Sequence, residues 1–270
     1  MISIKCPICD NKKTQLSFNT LVLEKYNAQF DFCPNCGFIF AKNPFWLEEA
    51  YSNSAIASTD TGIVMRNLSI SRRLAMLLYL VLKEDGNGRY LDLAGGFGLL
   101  TRMMRDLGFD FYWSDKYCEN LLAHGFEFTN DLTPFRAVTA FEVMEHLERP
   151  LDFIKDSLCF SGTDTFIFST EVFCEPVPDI NSWWYYSFET GQHIAFYQKR
   201  TLKFISDRIG LNLYSKSGLY IMTKNKISER VLSFCTNRIS YFFIPIINHF
   251  MNSLTISDHK MLVKKIRNKI

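Results

Sequence analysis

The chain has 270 residues, of which 47% are hydrophobic and only 21% are charged, a composition that excludes intrinsic disorder and supports a sizeable buried core. Its net charge of +2 is unevenly distributed: residues 1–60 carry 5 basic and 6 acidic side chains, residues 61–215 carry 15 and 20, and residues 216–270 carry 10 and 2. Proteins that act on nucleic acids usually present a basic working face, so the acidic centre argues against a polynucleotide substrate.

The start of the sequence lacks a basic segment followed by an apolar stretch, and no uninterrupted apolar run reaches the roughly 18 residues of a membrane span. We therefore expect a cytoplasmic protein without a transmembrane segment. In that compartment cysteines stay reduced or bind metal.

Two cysteine pairs open the chain, Cys6 with Cys9 and Cys33 with Cys36. Two residues separate the members of each pair, which is the spacing with which two tight turns present four thiolates to one tetrahedral ion. Four thiolates leave no open coordination position, so we predict a structural zinc site in a zinc-ribbon module over residues 1–44. Four buried cysteines at coincidental spacing are the alternative.

The remaining elements follow in chain order. Residues 45–88 have apolar positions at helical spacing, which predicts a helical bridge and lid. Residues 89–224 alternate short apolar strands with helices, which predicts an α/β, Rossmann-like domain around a parallel sheet. The expected strands lie near 90–94, 109–114, 137–141, 165–170, 211–216 and 219–224, with a weaker candidate at 125–128, and the expected helices near 98–107, 149–158 and 201–209.

Residues 225–270 form the last predicted unit, a basic, aromatic, helical extension. Three interpretations of this extension stay open: a cap on the domain, a subunit interface, or a peripheral contact with a membrane surface.

A glycine-rich turn follows the first strand of the α/β domain, with the sequence LDLAGGFGLL over residues 91–100. Parallel sheets bind nucleotides at such a turn. Thr101 stands where a dinucleotide fingerprint needs a small residue, which disfavours NAD. Asp115, at the end of the next strand, has the position and chemistry to accept hydrogen bonds from both hydroxyls of a ribose.

Together these motifs resemble the class I S-adenosylmethionine-dependent methyltransferases over roughly residues 45–224. That family's Asp-x-Gly-x-Gly-x-Gly motif starts here at Asp92, with Ala94 in place of the first glycine. The stretch FEVMEHL over residues 141–147 resembles the Glu-x-x-Glu-His-Leu segment that ends the fourth strand in many small-molecule methyltransferases.

A third resemblance lies in the aromatic segment over residues 183–197, which is similar to an insertion in zinc-ribbon relatives associated with surface-polysaccharide or sugar modification. The resemblance implies S-adenosylmethionine as cofactor beside the structural zinc. It implies cofactor contacts from Asp92, Ala94, Gly95, Gly96, Gly98, Asp115, Phe141 and Glu142, and it places Asn130 and Asp131 near adenine.

Histidines are the candidates for the base that would take a proton from the methyl acceptor. Methyl transfer to a hydroxyl needs alignment and a group that takes the proton, and histidine titrates in the right range. His146 and His193 are the candidate bases, with Glu145 to orient His146. Alternatively, Glu142, Glu145 and His146 hold a divalent ion. The aromatic residues 183–186 stack on a sugar or form the core of a lid.

These expectations converge on a methyltransferase for a small molecule, a nucleotide-linked or glycan sugar modified at a hydroxyl or a carbon. An RNA methyltransferase and an inactive zinc-ribbon binding module are the alternatives. The expected partner is the sugar substrate and not a nucleic acid, and the oligomeric state stays open.

Overall fold

The structure is a computed structural model that describes residues 5–52, 60–83 and 87–268. Its strands are β1 (Gln15–Val22), β2 (Tyr26–Phe32), β3 (Ile39–Ala41), β4 (Arg89–Leu93), β5 (Asp110–Ser114), β6 (Ala137–Ala140), β7 (Thr165–Ser169), β8 (Ala195–Phe196), β9 (Asn212–Lys216) and β10 (Leu219–Thr223). Its helices are α1 (Leu47–Ser52), α2 (Ile63–Leu80), α3 (Leu99–Asp106), α4 (Pro150–Ser161), α5 (Lys199–Arg208), α6 (Glu229–Thr236), α7 (Ile244–Met251) and α8 (Thr255–Arg267).

A six-stranded mixed sheet lies at the centre, in the order β5-β4-β6-β7-β10-β9. The first four of these strands are parallel, and β10 runs antiparallel to both β7 and β9. The strand order reverses at β4, because β5 lies on one side of it and β6 on the other. The connections that follow β4 and β6 therefore lead to opposite sides of the sheet, which is the arrangement at which α/β sheets bind ligands at their carboxyl edge.

The predicted α/β, Rossmann-like architecture is confirmed, but the sheet is mixed and not parallel as predicted, because β10 runs antiparallel to both of its neighbours. Each of the six expected strands starts and ends within one residue of its observed bounds, because short buried apolar runs between glycine-containing turns identify such strands well. The weaker candidate strand at 125–128 does not form a strand, and only an isolated β-bridge between Glu127 and Trp113 is present there. In the predicted bridge, α2 buries Leu74, Leu77 and Leu78, while residues 53–59 and 84–86 lie outside the described part of the chain.

A second sheet forms from the amino-terminal strands and one strand of the later insertion, in the order β1-β2-β3-β8. In the β3–β8 pair, Ile39 lies opposite Phe196. The indole Nε1 of Trp46 donates to the carbonyl of Gly191 at 2.8 Å, and the amide Nε2 of Gln192 donates to the carbonyl of Ala50 at 2.9 Å. The amino-terminal segment is therefore built onto the α/β domain.

The carboxyl-terminal helices α6, α7 and α8 pack beside α2 and α3. Asp258 of α8 is buried and forms a bidentate ion pair with Arg105 of α3, with both N···O distances at 2.8 Å. Phe242 and Phe250, by contrast, point largely into solvent. Among the described residues, no helix combines the length and the apolar character that crossing a bilayer requires.

Candidate functional site

The glycine turn joins the carboxyl end of β4 to the start of α3. Ala94, Gly96 and Gly98 all have positive φ angles, of 50°, 54° and 83°. A left-handed backbone costs a residue with a Cβ atom roughly 1–2 kcal/mol, a cost that glycine avoids. The turn is therefore relaxed at Gly96 and Gly98 and carries local strain at Ala94, where the class motif has glycine.

The turn is packed on one side and open on the other. A Cβ atom at Gly95 would lie 2.8 Å from both Asp92 Oδ2 and Trp113 Cδ1, so only glycine fits there. A Cβ atom at Gly98 would be equally crowded, at 2.9 Å from Ala123 Cβ. A Cβ atom at Gly96 would meet nothing within 4 Å. The open face at Gly96 leaves its backbone accessible to close approach by a ligand.

Asp92 lies beneath the turn with only 2% of its surface exposed. Its carboxylate accepts hydrogen bonds from the hydroxyls of Thr139, at 2.7 Å, and Thr101, at 3.4 Å. Burial raises the pKa of Asp92 to about 7, and the two threonine hydroxyls only partly offset that effect. The carboxyl group thus links the ends of β4 and β6 to the first turn of α3.

Asp115 faces the glycine turn from the end of β5. Its Oδ2 accepts from the backbone N–H of Gly96 at 2.9 Å, and its Oδ1 accepts from the N–H groups of Tyr117, at 2.7 Å, and Cys118, at 2.8 Å. The indole of Trp113 donates to the carbonyl of Gly96 at 2.8 Å. The predicted partners Gly96 and Asp115 are thus in direct contact, with the carboxylate held at the open face of the turn.

Two residues from the bridge approach this site that the motifs did not identify. The ring of Tyr51 in α1 stacks on Tyr117 with centroids 4.5 Å apart and planes at 9°. Arg66 in α2 is paired with Asp60 and lies close enough to Glu142 for that carboxylate to favour its charged form. The only sequence signal for either residue is its position in the segment expected to form a lid.

The end of β6 carries the predicted cofactor residues Phe141 and Glu142. Glu142 has a φ of 56°, and its backbone N–H donates to Ser169 Oγ at 3.0 Å. Asn130 and Asp131 do not reach this edge, which corrects the expectation that they lie near adenine. They form an exposed turn whose Leu132 carbonyl accepts from the guanidinium of Arg89, at the opposite end of β4 from the glycine turn.

Glu145, His146 and His193 come together beyond β6. One carboxylate oxygen of Glu145 and one nitrogen of each imidazole all lie within 4.8 Å of one another. The two imidazole rings are perpendicular, with centroids 5.0 Å apart. His193 Nδ1 lies 2.6 Å from the carbonyl of Tyr185, so this nitrogen carries the proton and Nε2 carries the lone pair. The structure thus joins the three residues predicted to be catalytic.

Burial dominates the protonation of this cluster. It raises the pKa of Glu145 to about 8, an effect to which the charge of Glu142 adds. It lowers the pKa of His146 to about 3, with His193 adding to the effect, and it lowers the pKa of His193 as well. Both imidazoles are therefore neutral at physiological pH, and each keeps a nitrogen lone pair.

The four amino-terminal cysteines also converge. Cys6 Sγ lies 3.6 Å from Cys36 Sγ, Cys9 Sγ lies 3.4 Å from Cys33 Sγ, and the four sulfur atoms fall within 4.8 Å of one another. The described structure therefore contains a four-cysteine cluster that could hold a metal ion. Cys118, Cys159, Cys174 and Cys235 do not take part in it.

Comparison with known proteins identifies the family. A family model described as a methyltransferase domain matches residues 66–216, which are 151 of the 270 residues. The chain belongs to the methyltransferase-domain family. The match begins in α2 and ends with β9, so this methyltransferase domain includes the glycine turn, Asp115 and the Glu145–His146–His193 cluster. The prediction of a methyltransferase domain is confirmed.

Several solved methyltransferase structures are similar to the chain, each with a TM-score below 0.5. Human N-acetylserotonin methyltransferase has 12% identity and a TM-score of 0.42, with 58% of this chain and 52% of that chain covered. Mitomycin 7-O-methyltransferase has 13% identity and a TM-score of 0.44, with 65% and 59% covered. Magnesium protoporphyrin IX methyltransferase from Synechocystis PCC 6803 has 12% identity and a TM-score of 0.40, with 68% and 98% covered.

The chain thus spans about half of the first of these proteins and about three fifths of the second. No curated protein sequence matches the chain.

The aromatic insertion of this methyltransferase-domain protein divides into core and surface. Tyr185 and Tyr186 are buried, and Trp183 packs edge-on against Tyr186 with centroids 4.8 Å apart. Trp184 is 76% exposed. Three of these four aromatic residues therefore form the packed core of the insertion, and Trp184 is mostly exposed with its ring edge-on to Tyr185.

Proposed function

We propose that the chain is an S-adenosylmethionine-dependent methyltransferase that modifies a small molecule, a nucleotide-linked or glycan sugar, at a hydroxyl or a carbon. The observation that carries the proposal is the glycine turn: its open face at Gly96 lies against the Asp115 carboxylate within a methyltransferase-family domain. The turn lies at the strand-order reversal of the sheet, which is where α/β folds bind nucleotides.

The residues at this turn fit the cofactor. The Asp115 carboxylate accepts hydrogen bonds from three backbone N–H groups and has roughly four lone-pair sites. It can accept from both ribose hydroxyls when one of these N–H groups, such as that of Gly96, gives up its bond. Ala94, Gly95, Gly96 and Gly98 would contact the ligand through backbone, with Asp92 fixing the turn from below. Phe141 and Glu142 would border the ligand from β6. When bound, S-adenosylmethionine supplies an electrophilic methyl group on a sulfonium.

We propose that the four-cysteine cluster holds structural zinc. Zinc–sulfur bonds of about 2.3 Å in a tetrahedron place sulfur atoms about 3.8 Å apart, close to the 3.4 and 3.6 Å separations observed. The hydroxyl of Thr201 in α5 donates to the carbonyl of Cys36 at 2.8 Å, which anchors the cluster to the methyltransferase domain.

The acceptor would bind between the glycine turn and the cluster of Glu145, His146 and His193. The neutral imidazoles have lone pairs available, and the ring of Tyr51 from the bridge lies 6.3 Å from that of His146. The exposed ring of Trp184 offers a surface on which a sugar could stack. The acidic charge of residues 61–215 supports a small acceptor over RNA, which is the less favoured candidate.

Calorimetric titration with S-adenosylmethionine and S-adenosylhomocysteine tests the proposal on the full chain with its metal in place. We expect one site per chain for each ligand. The acceptor is then sought by incubating the protein and cofactor with panels of nucleotide-sugars and glycans and recording the mass gain of one methyl substitution. Failure to bind either cofactor form would favour the inactive binding module, and methylation of RNA in place of sugars would overturn the acceptor class.

A further inference from the structure

The cluster of Glu145, His146 and His193 contains buried polar atoms that lack a partner. Glu145 has only 1% of its surface exposed, and its Oε2 has no hydrogen-bond partner. His146 Nδ1 is buried and unpartnered as well. A buried polar atom without a hydrogen-bond partner destabilises the fold, and a charged group does so more strongly. Two such atoms in one cluster are therefore available to bind a ligand.

His193 is oriented as a metal ligand would be. Histidines that bind metals almost always donate their second ring N–H to a carbonyl or carboxylate, which fixes the tautomer and aims the other nitrogen at the ion. His193 makes this contact with the Tyr185 carbonyl at 2.6 Å, and Nε2 is left for the cluster. The backbone N–H of Ile194 donates to the carbonyl of Glu145 at 2.8 Å, so the segments that carry Glu145 and His193 are tied together.

We propose that Glu145, His146 and His193 bind a divalent metal ion, a second metal site distinct from the four-cysteine cluster. Two imidazoles and one carboxylate are a donor set for first-row divalent ions, and three protein ligands leave coordination positions open. Ligand atoms bound at about 2.0–2.2 Å lie roughly 3–4 Å apart. The ligand atoms of the cluster lie within 4.8 Å of one another, so side-chain rotations that move them by about 1 Å would bring them to bonding distance of the ion.

The function of this ion rests on the proposed methyl transfer. An acceptor hydroxyl bound in an open position loses its proton to water more readily, because the ion stabilises the alkoxide. The oxygen then forms its bond to the methyl carbon as the carbon–sulfur bond breaks, and S-adenosylhomocysteine leaves. The substrate class is thereby narrowed to an oxygen acceptor, and the two histidines act as ligands in place of the predicted general bases.

Manganese provides the test, because Mn²⁺ prefers nitrogen and oxygen ligands and competes poorly for four thiolates. The full-length protein with zinc in the cysteine cluster is titrated with Mn²⁺, and free ion is followed by electron paramagnetic resonance. We expect one equivalent of Mn²⁺ per chain. Glu145→Gln and His193→Ala should each weaken that binding at least 10-fold, with zinc content unchanged, while Glu171→Gln, an exposed carboxylate on the same sheet edge, should bind like the wild type.

The readouts separate this inference from the proposed function. Calorimetry on the same samples reports cofactor binding, so a wild-type protein that binds Mn²⁺ but not S-adenosylmethionine would refute the function and leave the metal site intact. Absence of stoichiometric Mn²⁺ binding by the wild type, with and without cofactor, would refute the metal site. Wild-type Mn²⁺ affinity in folded Glu145→Gln and His193→Ala, with folding checked by circular dichroism, would refute it equally.

Discussion

Gly96→Ala tests the cofactor site with little disturbance of the fold. The added methyl group meets no atom of the protein within 4 Å, so its structural cost is the left-handed backbone at a φ of 54°. That cost is roughly 1–2 kcal/mol, and it is offset by about 0.4–1 kcal/mol because alanine lowers the conformational entropy of the unfolded chain. The net loss of about 1 kcal/mol corresponds to a fall in melting temperature of about 2–4 °C for a domain of this size.

The effect of Gly96→Ala on the ligand should be larger. If S-adenosylmethionine lies against the Gly96 backbone, the methyl group occupies its space, and overfilling a close contact costs about 1–3 kcal/mol. We therefore expect the dissociation constant to rise roughly 5- to 150-fold. Isothermal titration calorimetry measures it directly.

Gly210→Ala is the matched control for Gly96→Ala. Gly210 follows α5, has a φ of 72° and likewise has no atom within 4 Å of a Cβ position. The two variants should lose similar stability, while Gly210→Ala keeps wild-type affinity for S-adenosylmethionine. If Gly96→Ala bound the cofactor as tightly as Gly210→Ala, the ligand would not lie against this turn, and the proposed site would be wrong.

Three further predictions test other parts of the molecule. Asp115→Ala should weaken S-adenosylmethionine binding by about 3 kcal/mol, or roughly 150-fold, because two charge-assisted hydrogen bonds to the ligand are lost. Calorimetry should show no change for Glu119→Ala, at an exposed neighbouring carboxylate, and equal affinities of the two variants would exclude Asp115 from the site. Cys33→Ser should lose one equivalent of zinc relative to the wild type and lower the melting temperature. Cys159→Ser, at an exposed thiol, should keep the wild-type zinc content by elemental analysis, and a wild-type zinc content in Cys33→Ser would contradict the assignment. The pKa of Asp92 is raised from 3.8 to about 7 in the folded state, so ionisation of this carboxyl opposes folding. As the pH rises from about 4 to 7, the unfolding free energy of the wild type, measured by denaturant titration, should therefore fall relative to that of Asp92→Asn by up to about 4 kcal/mol. A constant difference across that pH range would refute the reasoning.

The sequence predicts the α/β domain well because its signals are local. The strand, turn and helix from Arg89 to Asp106 follow from a short apolar run, a glycine cluster and helical spacing within 18 residues. The contact of Asp115 with Gly96 also follows, since parallel neighbouring strands end at one edge. Local pattern and tertiary structure agree here, which is the consistency expected of a minimally frustrated fold.

The remaining features depend on contacts between distant segments. The two-residue strand β8 has no periodicity to detect, and it forms only because β3 offers it an edge. Tyr51 stacks on Tyr117, which is 66 positions away in the sequence, and no sequence motif predicts this contact. The resemblance also misplaces the turn at Asn130, where the carbonyl of Leu132 accepts from the side chain of Arg89 at the amino end of β4.

If the cysteine cluster binds zinc and His193 takes part in the reaction, as proposed above, the pairing of β3 with β8 connects the two sites. β3 starts three residues after Cys36, and β8 starts two residues after His193, so one ladder of hydrogen bonds connects the sulfur-rich end of the molecule to an imidazole at the sheet edge. Oxidation or chelation that unravels the thiolate end would shift that imidazole without touching it. On those two proposals, removal of the zinc should lower turnover before it lowers the affinity for the cofactor, since the Gly96 turn follows a strand of the other sheet.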